Sequence, residues 1–249
     1  MKEHNIYIYG IMEESSLKNF DVIGVGKNKV YTINHQDLAA VVSQIKGMEI
    51  DPTRKNLLAH TQVQELLLKE YTILPMSFGV ITPSTETINK MLEKNYLNFK
   101  QELKRLSEKI EIELKVYWNK EALKEEMESD HKYKQISNKI AQASSPAVKQ
   151  DLLIEIGQMV ESVVLKWKNE IGTYIYDNLA SLAANACTNK SNEITNILNA
   201  SFLVSKSEEN EFRDKAYALD AKYQNKVDIK YIGPLPPYNF LQVELKGEQ

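Results

Sequence analysis

The sequence predicts an α+β fold in two domains, on three observations. Apolar and polar residues alternate near the start, where Ile6 and Ile8 oppose Tyr7 and Tyr9, and again in Ile110-Ile112-Leu114-Val116-Trp118. That period of two marks half-buried strands. Between and beyond these strands, apolar residues recur at helical spacing and dominate the middle of the chain. Alternation then returns near the end, in Leu198-Ala200-Phe202-Val204 and Val227-Ile229-Tyr231.

The first elements follow in order. Asn5–Ile11 reads as a strand, Gly24–Asn28 as a turn, and Val30–Ile33 and Leu38–Ser43 as short strands. Asp51-Pro52 suits a helix start, with a buried stripe of Ala59, Val63, Leu66 and Leu67. Thr72–Ile81 reads as a strand interrupted by Pro75 and Gly79. Thr82-Pro83-Ser84 opens a helix striped by Ile88, Leu92, Tyr96, Phe99, Leu103 and Leu106. With the strand at 110–118, residues 1–119 approximate a ferredoxin-like split βαβ sheet with helices on one face and some parallel pairing.

Residues 120–249 form the second expected domain. Asn119 caps a charged helix, Lys120–Gln142, with the thin stripe Leu123, Met127, Ile136 and Ile140. A long helix runs from Pro146 to about Ala186, with a bend or break expected at Gly172. A strand around 198–204, a helix over Glu208–Tyr223 and a strand at 227–231 follow. Gly233-Pro234-Leu235-Pro236-Pro237 is incompatible with helix or central strand, and Tyr238–Leu245 is a last strand or tail.

Composition narrows the function classes. With 31 basic and 34 acidic residues the net charge is −3, so no basic field marks the chain for nucleic acid. The single cysteine, Cys187, excludes an intramolecular disulfide and suits a reducing compartment. It lies in an apolar stretch with no basic neighbour in sequence, where a thiol behaves as a small hydrophobe. No signal peptide stands at Met1–Asn5, and no apolar run approaches the roughly 18 residues of a spanning helix. The expectation is a soluble cytoplasmic protein without a membrane partner.

Catalytic motifs fail one by one. Lys29 stands where a dinucleotide fingerprint needs its third glycine, and Asn28 follows Gly26-Lys27 where a phosphate loop needs Ser or Thr. No His-Glu-x-x-His, cysteine pair or Gly-x-Ser-x-Gly is present, so neither metal nor cofactor is expected. Of the four histidines, His4, His35 and His131 lie in polar surroundings. His60 flanks an apolar stripe, as a general base or as a half-buried residue bonded to a neighbouring element. Ser77-Phe78-Gly79-Val80 lacks the basic lead and second aromatic of an RNA-recognition strand, although Tyr7, Tyr9 and Tyr117 could line an aromatic sheet face. A small-molecule enzyme or sensor using His60, and an RNA-binding module, are the alternatives to a protein-binding role.

Two segments carry a family resemblance. The first is Leu58-Ala59-His60 through Val63 with Thr72-Ile73-Leu74-Pro75-Met76-Ser77-Phe78-Gly79-Val80-Ile81. The second is Tyr231-Ile232-Gly233-Pro234-Leu235-Pro236-Pro237-Tyr238-Asn239-Phe240. Together with Tyr7-Ile8-Tyr9-Gly10-Ile11 and the strand Ile112–Trp118, they resemble the GvpF/GvpL family of gas vesicle proteins, with size and charge favouring the F branch. The resemblance implies a non-enzymatic accessory component located in the cytoplasm and at the gas vesicle. It would associate during assembly with the small hydrophobic shell protein and with other vesicle accessory proteins. It also implies two domains, the first ferredoxin-like, and no cofactor. His60, Pro75, Phe78, Gly79, Gly233, Pro234, Pro236 and Pro237 then read as structural motif residues. Tyr7, Tyr9, Tyr238 and Phe240 are the candidate partner-binding residues, beside the half-covered helix Lys120–Gln142. The proline segment reads as a rigid strap or as a polyproline ligand.

Overall fold

The protein is described from a computed structural model covering residues 5–191 and 193–243. It divides into two compact units. One comprises the residues up to Glu111 together with those from Pro234 onward, and the other is Ile112–Gly233.

The first unit is built from β1 (Asn5–Glu13), β2 (Asn19–Ile23), β3 (Lys29–His35), β4 (Leu38–Ile45), α1 (Arg54–Glu70), β5 (Ile73–Pro75), β6 (Ile81–Thr82), α2 (Thr85–Lys94) and α3 (Tyr96–Leu106). Its sheet runs β2-β3-β4-β1-β5, with β6 also on β1, and each of these pairs is antiparallel. Among the described residues the parallel pairing expected from two crossovers is therefore not found in this sheet, which also has more strands than a four-stranded split βαβ unit. β1 is central and buried from Asn5 to Met12. Tyr7, Tyr9, Met12 and Val41 pack with Val63 and Leu67 of α1. Ile6, Ile8 and Ile11 are buried too, while α2 and α3 pack against strands of the same sheet. Gly10 permits the approach of β5, because a Cβ there would stand 2.9 Å from the Leu74 carbonyl oxygen.

Helix starts follow capping chemistry more closely than the reading above. Thr53, not Asp51, caps α1, its hydroxyl accepting from the Asn56 N–H at 3.3 Å. Ser84 caps α2 in the same manner. The stripe from Ile88 to Leu106 is shared by two helices that meet at the buried Asn95.

The second unit contains β7 (Lys109–Trp118), which begins in the first, then α4 (Lys120–Ser129), α5 (His131–Gln142), α6 (Pro146–Trp167), a π-helical turn at Lys168–Gly172, α7 (Thr173–Ala180), β8 (Asn185–Thr188), β9 (Asn196–Ser205), α8 (Glu209–Tyr223) and β10 (Val227–Leu235). Its sheet is ordered β10-β7-β9-β8. Several expectations are corrected here. β7 belongs to this sheet and does not close the first one. The helix expected over Lys120–Gln142 is two, because the Asp130 carboxylate caps the N–H groups of Lys132 and Tyr133. The long helix ends at Ala180, and Asn185–Thr188 is strand. Gly172 marks the π turn, where a Cβ would lie 3.1 Å from Ile197 Cγ2, so close packing selects glycine.

Pro234 is accommodated because β10 is an edge strand, where a missing N–H breaks no ladder. Beyond it, Tyr238–Phe240 forms a single 3-10 turn, and residues 244 and 245 lie outside the described residues. The boundary read at Asn119 is also revised. The division falls within β7 and within β10, and the segment from Pro234 onward belongs with the first unit and not with residues 120–233.

Candidate functional site

Two polar side chains interrupt the buried stripe of α1. His60 and Gln64 stand one turn apart beside Val63 and Leu67, and they are 4% and 2% exposed. Polar groups buried in this way need internal partners. Strand periodicity supplies two, since Tyr7 and Tyr9 point to the same side of β1. The segment after β5 supplies the Met76 carbonyl and the Gly79 N–H. The turn at Tyr238–Phe240 supplies a third tyrosine.

The bonds close into one network. The Tyr7 hydroxyl lies 2.8 Å from His60 Nδ1 and accepts from the Gly79 N–H at 3.1 Å. His60 Nε2 lies 3.2 Å from the Tyr238 hydroxyl, which is 2.7 Å from Gln64 Oε1 and 2.9 Å from the Met76 oxygen. The Gln64 amide donates to the Tyr9 carbonyl at 2.8 Å and to the Met76 carbonyl at 3.0 Å. Counting donors assigns the tautomer. Gln64 Oε1 needs the Tyr238 proton, so Nε2 carries hydrogen and donates to Tyr238. Nδ1 is then bare and accepts from Tyr7. The opposite tautomer would strand the Tyr7 proton and leave Gln64 Oε1 without a donor.

Burial fixes the charge state as well. Desolvation depresses the His60 pKa from 6.5 to about 4, leaving the ring neutral near pH 7. Desolvation likewise raises Tyr7, and raises Tyr238 to about 12. Tyr9 extends the cluster. Its ring stacks on His60 at 5.6 Å, and its hydroxyl lies 3.0 Å from Ser43 Oγ and accepts from the Val25 N–H at 2.7 Å. Gly24 keeps room for that hydroxyl, with which a Cβ at position 24 would collide.

The residues around Tyr238 are fastened by charge. The Asn239 N–H and side-chain amide donate to the Glu111 carboxylate at 2.9 and 2.5 Å. The Arg105 guanidinium holds Glu102 through two bonds of 2.8 and 2.6 Å and also donates to the Phe240 carbonyl. The Gln242 N–H donates to Glu102 at 2.7 Å. Burial pushes the Glu102 carboxyl up, but the bonds from Arg105 and Gln242 outweigh it and hold the group below its usual range.

These positions correct several readings. Tyr7 and Tyr9 are fully buried and offer no partner surface, because α1 covers their side of the sheet. Phe240 is 4% exposed and packs inward. Tyr238 keeps 38% of its surface exposed, yet its hydroxyl is committed to His60 and Gln64. Pro75, Pro236 and Pro237 are buried, while Gly233 and Pro234 are exposed. Phe78 stands edge-on to His60 at 5.8 Å, and Gly79 has a φ of 91°, a left-handed geometry that favours glycine. Gln64, Arg105, Glu102 and Glu111 escaped the sequence reading. The available signal was a polar residue one turn from His60 within an apolar stripe, whereas Glu111 sits at an ordinary polar position in the alternation of β7.

With both ring nitrogens engaged, His60 has no free position from which to take a substrate proton. Two cavities elsewhere have volumes of about 740 and 810 Å³, and His60 lines neither. Among the described residues, no three His, Cys, Asp or Glu side chains group to hold a metal ion, and no helix is long and apolar enough to cross a membrane.

The fold and this cluster define an α+β protein of two units in which the buried histidine is a structural hydrogen-bond hub. The chain belongs to the gas vesicle synthesis protein GvpL/GvpF family, whose family model matches residues 5–242. It is 27% identical to gas vesicle protein F of a Nostoc species over 244 residues, covering 96% of this chain and 98% of that protein. It is 28% identical to gas vesicle protein F1 of Halobacterium salinarum, covering 98% and 96%. The fold matches the crystal structure of GvpF from an Anabaena species with a TM-score of 0.78, at 23% identity and 99% coverage of both chains.

Two outcomes test the cluster. Tyr238→Phe removes the donor to Gln64 and the acceptor for His60, and thermal unfolding should show a loss of about 1–3 kcal/mol. His60 binds its proton near pH 4 when folded and near 6.5 when unfolded, so the unfolded state takes up the proton first as pH falls. Its stabilising contribution is complete above pH 6.5 and is lost on descending towards 4, on the order of 3 kcal/mol. Urea unfolding across that window should show a shallower pH slope for His60→Gln than for the unsubstituted chain.

Proposed function

We propose that this chain is a non-enzymatic accessory component of gas vesicle assembly in the cytoplasm, where it binds the small hydrophobic shell protein and other vesicle proteins. The observation that carries this reading is the family match, which runs through both units. The engagement of both His60 nitrogens supports a binding role over catalysis at that residue.

Physical chemistry supplies the rationale. A subunit that will form a gas-facing wall carries apolar surface before assembly, and such surface aggregates in water. A partner that covers it keeps the subunit available. The described surface here has large exposed apolar side chains suited to such cover, including Leu153, Ile154, Leu165 and Ile194.

Co-expression of this chain with the shell protein, followed by pull-down and fractionation, tests the proposal. The shell protein should remain soluble and co-purify. Aggregation of the shell protein with nothing recovered on this chain would contradict shell binding.

A further inference from the structure

α6 is rich in aliphatic residues, yet Trp167 is its one fully buried side chain. α5 packs along it, tied by an ion pair between Lys132 and Glu155 at 2.9 Å. A different stripe, Gly157, Val160 and Val164, repeats at helical spacing and borders a groove of about 810 Å³. The opposite wall comes from Trp118, Ile194 and Ile197. Trp118 Nε1 donates to the Ile194 carbonyl at 3.2 Å and pins that wall. Ile194 is 87% exposed and Leu165, on the α6 side, is 51% exposed. No atom stands within 4 Å of where a Cβ on Gly157 would lie, so this wall is open to close approach.

We propose that this groove receives a neutral, apolar-faced helix of the shell subunit, an assignment that rests on the shell-binding reading above. Three features select that occupant. One wall is itself a helix, whose side chains spaced three and four apart form the ridges between which another helix packs. The charged residues lining the groove are Glu161 and Glu193 against Lys168 and Lys190, two of each sign. Such a rim offers no net field to an acidic or basic partner and matches an uncharged one. A second copy of this chain fits poorly, because a two-fold pair would set concave face against concave face and leave both grooves unfilled.

The test uses the full chain and the shell protein. Val164→Asp places a charge in the groove, and Gly157→Trp fills it at an open position without removing a contact. Leu97→Asp, at a side chain 71% exposed on α3, serves as the control. With melting temperatures checked for each, both groove variants should recover at least about tenfold less soluble shell protein than the parent and the control, the factor that corresponds to 1.4 kcal/mol. Should Val164→Asp fail to fold, Gly157→Trp decides alone. Undiminished recovery by a folded groove variant overturns the groove and leaves shell binding intact. No recovery even by the parent chain overturns both. A parent dimer that the groove variants convert to monomer shows a second copy as the occupant and also overturns the assignment.

Discussion

A histidine set into the apolar face of a helix must have both ring nitrogens satisfied or lose the stability gained by burying its surroundings. In this chain that requirement gathers distant parts of the sequence at one point. Tyr7 lies 53 positions from His60 and Tyr238 lies 178 positions away. Gln64 then binds the backbone of β1 and of the segment after β5, so α1, the central strand and the end of the described chain share one set of bonds. The long loops closed by these contacts cost entropy that grows only slowly with length. The desolvated hydrogen bonds that close them are costly to lose. The protein therefore treats the region around Tyr238 as part of the first unit's core.

Electrostatics strengthens the same attachment. Glu102 and Glu111 are 6% and 2% exposed, and buried carboxylates are expensive unless bonded. Backbone N–H groups of Gln242 and Asn239 bond to them, and the Arg105 guanidinium balances one of the charges. Each acid is thus satisfied by the returning segment, and that segment has defined partners for its own backbone. The exposed face of Tyr238 is compatible with this role, because the hydroxyl carries the contact. The second unit shows the opposite pattern along α6, where apolar side chains such as Leu153, Ile154 and Leu165 remain exposed.

Local signals in the sequence were legible where one element's periodicity decides the outcome. β1, β7, β9 and α8 are near their expected places because alternation or helical spacing persists over several residues. The proline segment reads correctly as unsuited to a central strand, since the ring removes a donor wherever it occurs. Sheet membership was not legible. The alternation in Ile110–Trp118 states that one face is buried, and it is silent on which sheet buries it. Breaks within helices were missed for a similar reason. Asp130 and Asn95 are polar positions compatible with a continuous helix; Asp130 becomes an end because its carboxylate caps the helix that follows, and Asn95 where its side chain is buried. The cluster was half visible. His60 stood out as a polar residue flanking an apolar stripe, while the alternation of Tyr7 and Tyr9 left open whether they face a partner or pack inside the chain, because nothing local indicates that α1 covers them.

The segment from Pro236 to Gln242 is an integral part of the first unit, with its amides bonded to buried carboxylates and its tyrosine bonded to His60. Hydrogen exchange read by mass spectrometry measures this directly on the unmodified chain. The amides of Asn239 and Gln242 are predicted to exchange as slowly as those of β1, opening only with the unit as a whole. Exchange of that segment at the rate of an unstructured peptide, while β1 stays protected, would contradict the claim that residues 236–242 are built into the core.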